Sequence, residues 1–296
     1  MLKALIKSMR LRTLPLSLGG VLCGGCLGMA FLEESRYPML ALTALTACLL
    51  QILSNFSNEM GDYRQGVDGE RREGPAYGMA DGMTEKQLWT AINTTVVACA
   101  VSGLALVWVS GCSWWVLLLG AAAIWAATHY TLGSKPYGYI GLGDLFVFIF
   151  FGLVSVLGSF YVITHTIFPH IWLFAPAVGL GLLGVAVLNV NNIRDMKSDE
   201  GFRKTTPLRL GERGAKVYQT LLVVLGVACF AWTKESLVPV VLPVAPFFLW
   251  HIIGVWRRTG KRLDPMLPLL VISTFVMSVW YGFEFYVECI LPWPVW

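Results

Sequence analysis

Charged residues are scarce in this chain of 296 residues, since Asp, Glu, Lys and Arg together make up 14% of it. Soluble domains carry roughly 25%, and here hydrophobic residues reach 56%. So little charge excludes an ordinary water-soluble domain and indicates a polytopic membrane protein, with the lipid bilayer as its first partner. The net charge of +4 is small, so we expect no nucleic-acid partner.

Signals of other protein classes are also missing. The chain lacks the alternation of apolar and polar residues that marks a membrane β-barrel. Its first apolar run has no cleavage site of a secretory leader. The seven cysteines show no paired spacing apart from Cys23 and Cys26, which lie in an apolar, glycine-rich run. They are typical of small buried side chains rather than of a disulfide framework or a zinc site.

Long apolar stretches are what the chain has instead, and nine of them approach the length of about 20 residues that a spanning helix needs. They cover residues 13–32, 38–58, 87–109, 114–132, 142–164, 171–194, 215–233, 237–256 and 266–292. Helices satisfy every backbone hydrogen bond inside a bilayer. The sequence therefore predicts an all-α membrane protein with nine transmembrane helices.

The basic residues predict the orientation of these helices. All 22 of them, except Arg36 and Lys234, lie at the N-terminus or in the loops after the second, fourth, sixth and eighth stretches. Positive charge is enriched on the cytoplasmic side of a membrane. We therefore expect a multi-pass protein of the cell (inner) membrane, with the N-terminus in the cytoplasm and the C-terminus outside.

Two polar clusters end apolar stretches on that cytoplasmic side. They are "LSNFSNEMGDYRQGVD" (53–68) and "VLNVNNIRDMKSDE" (187–200). Helical spacing of three or four residues places members of each cluster on one face. The first row is Asn55, Asn58 and Asp62, and the second is Asn191, Asp195 and Asp199. Asp68 lies beyond Gly66, so a turn has to bring it back to the first row.

Oxygen ligands of this kind suit Mg²⁺, which usually binds one or two carboxylates together with substrate phosphates. Basic residues are interspersed with them and would bind the remaining phosphate oxygens; they are Arg64, Arg194, Lys197, Arg203 and Lys204. Solvated helix ends would explain either cluster alone. Two clusters with the same spacing on the same side favour a shared site for a metal and a phosphate compound, with an active site at the cytoplasmic surface.

The pair of clusters resembles the motifs of the UbiA superfamily of intramembrane aromatic prenyltransferases, in particular its menaquinone branch. The matching stretches are "RLRTLPLSL", "LLQILSNFSNEMGDYRQGVD", "YTLGSKPYGYIGLGDLFVFIFFGLVSVLGSFY" and "NVNNIRDMKSDEGFRKTTPLRLGERGAK". The sequence departs from the family pattern at Glu59, where Asp is usual, and at Asn191, which replaces the first Asp of the second motif. Arg203 stands where the family often has Lys.

The resemblance implies one domain over residues 1–296, in two pseudo-repeated halves that carry motifs at 55–68 and 189–199 and enclose a central cavity. It implies transfer of a polyprenyl group from polyprenyl diphosphate to 1,4-dihydroxy-2-naphthoate, with Mg²⁺ as cofactor and loss of CO₂ and diphosphate. The implied metal ligands are Asn58, Asp62, Asp68, Asn191, Asp195 and Asp199, whose four aspartates are also the catalytic residues. The residues implied to bind substrate or diphosphate are Asn55, Asn58, Arg64, Lys135, Tyr137, Tyr139, Asn192, Arg194, Arg203 and Lys204.

Two other functions stay open. A related prenyltransferase acting on 4-hydroxybenzoate, homogentisate or haem would carry similar motifs. An ion-coupled transporter is a second alternative, although transporters bind their ions near the membrane midplane on broken helices.

Overall fold

The computed structural model describes residues 2–66, 75, 77–167, 170–232 and 238–290, and the regular secondary structure within these ranges is entirely helical. The α-helices are α1 (Leu2–Ser8), α2 (Leu14–Leu32), α3 (Tyr37–Arg64), α4 (Glu85–Ser110), α5 (Trp115–His129), α6 (Gly143–Val147), α7 (Ser159–Thr164), α8 (Ile171–Arg194), α9 (Met196–Asp199), α10 (Thr206–Ala231), α11 (Val238–Val241), α12 (Ala245–Arg257) and α13 (Met266–Ile290).

Seven helical stretches in the described ranges are long and apolar enough to cross a membrane. They begin with α1 and α2 together, and continue with α3, α4, the segment from α6 to α7, α8, α10, and α13 with the short turn before it. These seven match seven of the predicted stretches. The other two correspond to shorter helices, α5 of 15 residues and α12 of 13 residues.

The first and the last long helices of the chain are neighbours in the bundle, because α2 packs along α13. Helix α8 lies inside and packs against α10 and against the segment between α6 and α7. Glycines permit the close approach there: a Cβ on Gly152 would lie 2.5 Å from both the Ala177 carbonyl oxygen and the Gly181 Cα. Small residues at such crossings are the usual means of helix association in a bilayer.

The segment between α6 and α7 is π-helical over Phe148–Gly158. A π-helix of eleven residues is unusual, because these helices occur mostly as single turns, frequently at functional sites. Several of its side chains line the central cavity, among them Phe150, Phe151 and Ser155. The widened helix therefore forms part of the wall around the site.

Both predicted motifs lie at helix ends. The first occupies the last three turns of α3, which continues to Arg64, six residues beyond the predicted stretch. The second occupies the end of α8, a break at Asp195 and the single turn α9. Asp68 lies outside the described residues.

Candidate active site

The bundle surrounds a cavity of about 630 Å³ that is partly open and whose walls are mostly apolar. Its polar end is lined by residues of both motifs, namely Asn58, Asp62, Asn191, Arg194, Asp195, Ser198, Asp199 and Arg203. The two halves of the sequence thus meet at one site, as the spacing of the motifs predicted.

Only part of the first motif faces the cavity. Asn58 and Asp62 line it, whereas Asn55 and Glu59 do not. The Asn55 amide donates to the Met9 carbonyl oxygen at 2.8 Å and so holds the chain between α1 and α2. Glu59 is completely buried, and its Oε1 accepts from the Met79 backbone N–H at 2.7 Å. Both residues therefore fix neighbouring segments.

In the second motif, Arg194 neutralises the negative charge of Asp195, the next residue in the chain. Its guanidinium donates to both carboxylate oxygens of Asp195, at 2.8 and 2.6 Å, and to Asn191 Oδ1 at 2.8 Å. It also pairs with Asp264, just before α13, at 2.9 Å. With its side chain 2% exposed, Arg194 is a buried cation with three acceptor residues. Such a network fixes the end of α8 relative to α13.

Arg203 joins the two motifs directly. Its Nη2 donates to Asp62 Oδ1, and its Nε lies 3.6 Å from Asp199 Oδ1. Burial raises the pKa of Asp199 to about 6; Arg203 opposes this rise, and repulsion from Asp195 and Asp62 adds to it. A guanidinium between two buried carboxylates supplies the positive charge that their burial requires.

Two tyrosines of the predicted loop "GSKPYGYIGLGD" take part in the site. The Tyr139 hydroxyl donates to Asp62 Oδ1 at 2.8 Å, and the Arg203 guanidinium lies over the Tyr139 ring. Burial and the nearby Asp62 raise the pKa of Tyr139, so that it remains a donor at neutral pH. Tyr137 lines the cavity, and its hydroxyl donates to the Ala126 carbonyl oxygen at 2.8 Å.

Six predicted substrate-binding residues do not line the cavity: Asn55 and Tyr139, described above, and Arg64, Lys135, Asn192 and Lys204. Arg64 is half-exposed and pairs with Glu85 at 2.9 Å. Lys135 and Lys204 are exposed. Asn192 faces a separate small pocket that Asp144 and Thr206 also line. Their roles, like that of Asp68, remain predictions.

The sequence did not single out several polar residues at the site. Arg10 and Tyr77 line the cavity, although both lie outside the motifs at 55–68 and 189–199; Arg10 is the first residue of the matching stretch "RLRTLPLSL". Ser17 and Gln51 also line it, joined by a hydrogen bond of 2.7 Å. Asp264 lies alone in a basic loop, so nothing in the pattern connects it with Arg194. These residues become recognisable only when the helices are packed.

The oxygen ligands at the polar end suit a divalent cation. Asp199 Oδ2 is buried without a hydrogen-bond partner in the described part of the chain. A hard cation would satisfy such an oxygen. Within the described residues, no three carboxylate, imidazole or thiol groups converge tightly enough to hold an ion as they stand. Arginines are paired with Asp62, Asp195 and Asp199 instead, so a metal held by these carboxylates would have to replace contacts with Arg203 and Arg194.

Comparison with known proteins gives consistent results. The chain is 44% identical over 237 residues to the 1,4-dihydroxy-2-naphthoate octaprenyltransferase of Escherichia coli strain K12, a match that covers 77% of this chain and 75% of that one. It is 41% identical over 298 residues to the Haemophilus influenzae protein with the same name, with 95% of both chains covered.

Solved structures share the fold. An apo UbiA homolog from Aeropyrum pernix K1 superposes with a TM-score of 0.70 at 15% identity, covering 93% of this chain and 98% of that one. A UbiA homolog from Archaeoglobus fulgidus, solved with GPP and Mg²⁺ bound, superposes with a TM-score of 0.61 at 15% identity, covering 95% and 99%. The sequence model of the UbiA prenyltransferase family matches residues 17–281, and the chain belongs to that family.

Proposed function

We propose that the protein transfers a polyprenyl group from polyprenyl diphosphate to 1,4-dihydroxy-2-naphthoate. The observation that carries this proposal is the meeting of Asp62 and Asp199, one from each motif, on the guanidinium of Arg203 at the polar end of an apolar cavity. The names of its relatives in Escherichia coli and Haemophilus influenzae supply the acceptor.

In this reaction one bond of each substrate breaks, and one new bond joins the prenyl group to the ring. The allylic C–O bond of the donor breaks, and diphosphate leaves with its electron pair. The electron-rich ring forms a C–C bond to the allylic carbon. The bond between ring and carboxyl carbon breaks, its electron pair stays with the ring, and CO₂ leaves. Overall, no further oxidant, reductant or proton is required.

Magnesium fits the oxygen-rich end of the cavity. The residues that would hold it are Asn58, Asp62, Asn191, Asp195 and Asp199, with Asp68 as the further predicted ligand. Bound there, Mg²⁺ would stabilise the negative charge of the departing diphosphate. Arg203 contacts the same carboxylates, so it would be placed to bind phosphate oxygens if those carboxylates held the metal.

The apolar walls have a chemical purpose in this reaction. Water would quench a positively charged allylic carbon, and a closed apolar site excludes it. Aromatic rings line the wall near the polar end, among them Tyr130, Tyr137, Phe146 and Phe150. Their faces are attractive to a cation. The cavity is therefore suited both to a prenyl chain and to the charge that develops on it.

Contacts between loops support nine membrane crossings, and the distribution of basic residues favours an active site on the cytoplasmic side. The loop after α5 carries Tyr139, which reaches Asp62 at the end of α3. Helix α5 therefore returns the chain to the side where α3 ends. Likewise, Lys216, five residues after the non-helical Gly211 at the start of the apolar part of α10, donates to the Arg258 carbonyl oxygen just after α12 at 3.1 Å. Helix α12 therefore returns the chain to the side where the apolar part of α10 begins.

An assay of the purified protein in detergent tests the function. It combines 1,4-dihydroxy-2-naphthoate, a polyprenyl diphosphate and Mg²⁺, and detects the prenylated, decarboxylated product by mass spectrometry. Chelation of Mg²⁺ is expected to abolish product formation. Turnover of 4-hydroxybenzoate or homogentisate, without turnover of the naphthoate, would reassign the acceptor. No turnover of any of them would contradict the prenyltransferase reaction.

A further inference from the structure

Within the described residues, one cation of the cavity has no counter-charge. Among the described residues, three arginines and no lysine line the cavity. Arg194 is paired with Asp195 and Asp264, and Arg203 with Asp62 and Asp199. Arg10 has no carboxylate partner among the described residues. Its Nε and Nη2 atoms are buried and donate to no acceptor. Buried donors without an acceptor are costly, so this guanidinium points to a missing anion.

The fold holds Arg10 in place against strain. Its backbone is left-handed, with φ 50° and ψ 52°, which is unfavourable for a residue with a Cβ. Asn55 keeps the chain in this path through its hydrogen bonds to the Met9 carbonyl oxygen and to Thr13 Oγ1. The guanidinium then lies 3.7 Å from the centre of the Tyr77 ring. A strained residue fixed on both sides and facing a cavity is typical of a binding site.

We propose that Arg10 binds the carboxylate of the aromatic acceptor. This inference rests on the proposed function, which supplies an acceptor bearing a carboxylate. A guanidinium offers two parallel N–H groups that match the two oxygens of a carboxylate. The Tyr77 face keeps the guanidinium plane oriented, and the acceptor ring is thereby held with its carboxylate at a defined point of the cavity.

Position favours the acceptor over the donor as the source of this anion. Arg10 is anchored through Asn55, which lies seven residues before Asp62 on α3, or roughly 10 Å along the helix axis. The nearby polar residues that line the cavity are the neutral Ser17 and Gln51. The carboxylates expected to share Mg²⁺ with a diphosphate lie instead beside Arg203. Two anionic substrates thus have separate cations.

Asn55 gains a role in this arrangement as a positioning residue. It belongs to the first motif by sequence but does not line the cavity. It acts on the acceptor through the backbone that carries Arg10. Its replacement by Ala is therefore expected to weaken acceptor binding in the same selective way as replacement of Arg10, only less strongly.

A binding comparison tests the proposal without requiring turnover. The probes are 1-hydroxy-2-naphthoate and 1-naphthol, which differ by the carboxylate, titrated in detergent with Mg²⁺ and inorganic diphosphate present. We expect Arg10→Gln to weaken naphthoate binding by about 10- to 100-fold, the value of a lost charge-assisted pair, and to leave naphthol binding unchanged. Arg10→Lys keeps the charge without the fork and is expected to recover part of the preference.

Arg12→Gln is the matched control. Arg12 lies two residues after Arg10 and carries the same charge. Its side chain is exposed, donates to the Tyr77 hydroxyl at 3.2 Å and does not line the cavity. This variant should leave the preference for the carboxylate intact. Equal weakening of both probes by Arg10→Gln would assign a merely structural role. A rise confined to the KM of polyprenyl diphosphate would assign Arg10 to the donor. Both results overturn the proposal.

The same preparation separates this proposal from the proposed function. Absence of turnover by the wild-type protein, with naphthoate binding still dependent on Arg10, would contradict the reaction and retain the carboxylate site. Normal turnover by the wild type, with an unchanged carboxylate preference in a folded Arg10→Lys variant and in a folded Arg10→Gln variant, would contradict the carboxylate site alone.

Discussion

At the scale of single residues, Asp62 and Asp199 are the carboxylates that the structure ties most closely to the candidate active site. Both are buried, both approach Arg203, and Asp62 also accepts from Tyr139. Replacement of either carboxylate by an amide leaves the volume nearly unchanged but removes a charge. We expect Asp62→Asn and Asp199→Asn each to lower kcat by about 10²- to 10³-fold, as loss of one electrostatic contact to a developing charge does.

Glu59→Gln is the control for these two variants. Glu59 is a buried carboxylate on the same helix as Asp62, but it faces the loop at Met79 rather than the cavity. A glutamine can still accept the Met79 N–H, so turnover should be largely retained. Steady-state assays on equal amounts of folded protein compare the three. Near-normal turnover of Asp62→Asn would refute the shared site.

Arg203 and Lys204 are adjacent cations with different surroundings, which separates a substrate role from a topological one. Arg203 contacts both motifs, whereas Lys204 is exposed and only its backbone N–H reaches the loop, at the Tyr139 carbonyl oxygen. We expect Arg203→Ala to lower turnover per inserted molecule and to raise the KM of polyprenyl diphosphate more than that of the naphthoate. Lys204→Ala is expected to change these constants little.

Quantitative blotting of membranes, followed by kinetics in detergent, distinguishes the possibilities. If both variants lost yield but kept full turnover per molecule, their charges would serve insertion under the positive-inside rule. Equal losses for donor and acceptor would also contradict a role for Arg203 in holding the diphosphate.

Helical spacing predicted which residues share a face, and it did so correctly for Asn58 and Asp62. It could not tell what covers that face along its length. Asn55 lies two turns from Asp62 on nearly the same side, yet the chain between α1 and α2 crosses there and takes up its amide. The same limit applies to Arg10, which lies outside both metal-binding motifs and was not predicted as a site residue. Its importance arises from a backbone turn and from the residues packed around it.

At the scale of helices, the positions of the apolar stretches were predictable and the irregularities were not. Helix α10 begins at Thr206, nine residues before the predicted stretch, because a non-helical Gly211 with φ 71° lets a polar first turn join it. The π-helical segment between α6 and α7 has no signature in hydropathy. Its geometry depends on the side chains that fill the cavity wall and on close contact with α8.

That contact gives a prediction about stability. A methyl group on Gly152 would meet the backbone of α8 at Ala177 and Gly181, and backbone cannot move aside as a flexible side chain can. We expect Gly152→Ala to cost about 1–3 kcal/mol, the usual effect of overpacking, and to lower the melting temperature in detergent. Gly103→Ala is the control, since nothing lies within 4 Å of its added methyl group. Its melting temperature should stay the same or rise, because Ala favours helix.

At the scale of the whole molecule, the basic residues predict a site on the cytoplasmic side, and a loop contact places the ends of α3 and α5 on one side of the bundle. Hydropathy alone counts seven long spans among the described residues, since α5 and α12 are short. A helix of 15 residues rises only about 22 Å, less than the hydrocarbon core of about 30 Å. The contact between Tyr139 and Asp62 nevertheless requires the chain to return along α5.

Labelling on either side of α5 decides whether it crosses. Ser113 precedes this helix and Ser134 follows it, and both are exposed. In a chain lacking its native cysteines, we expect Ser134→Cys to react with a membrane-impermeant maleimide only from the cytoplasmic side and Ser113→Cys only from the outside. Leu2→Cys, at the N-terminus that we predict to be cytoplasmic, is the reference. Reaction of both loop positions from one side would remove α5 as a crossing and leave Tyr139 unable to reach Asp62, which would contradict the arrangement of the active site as well as the count of helices.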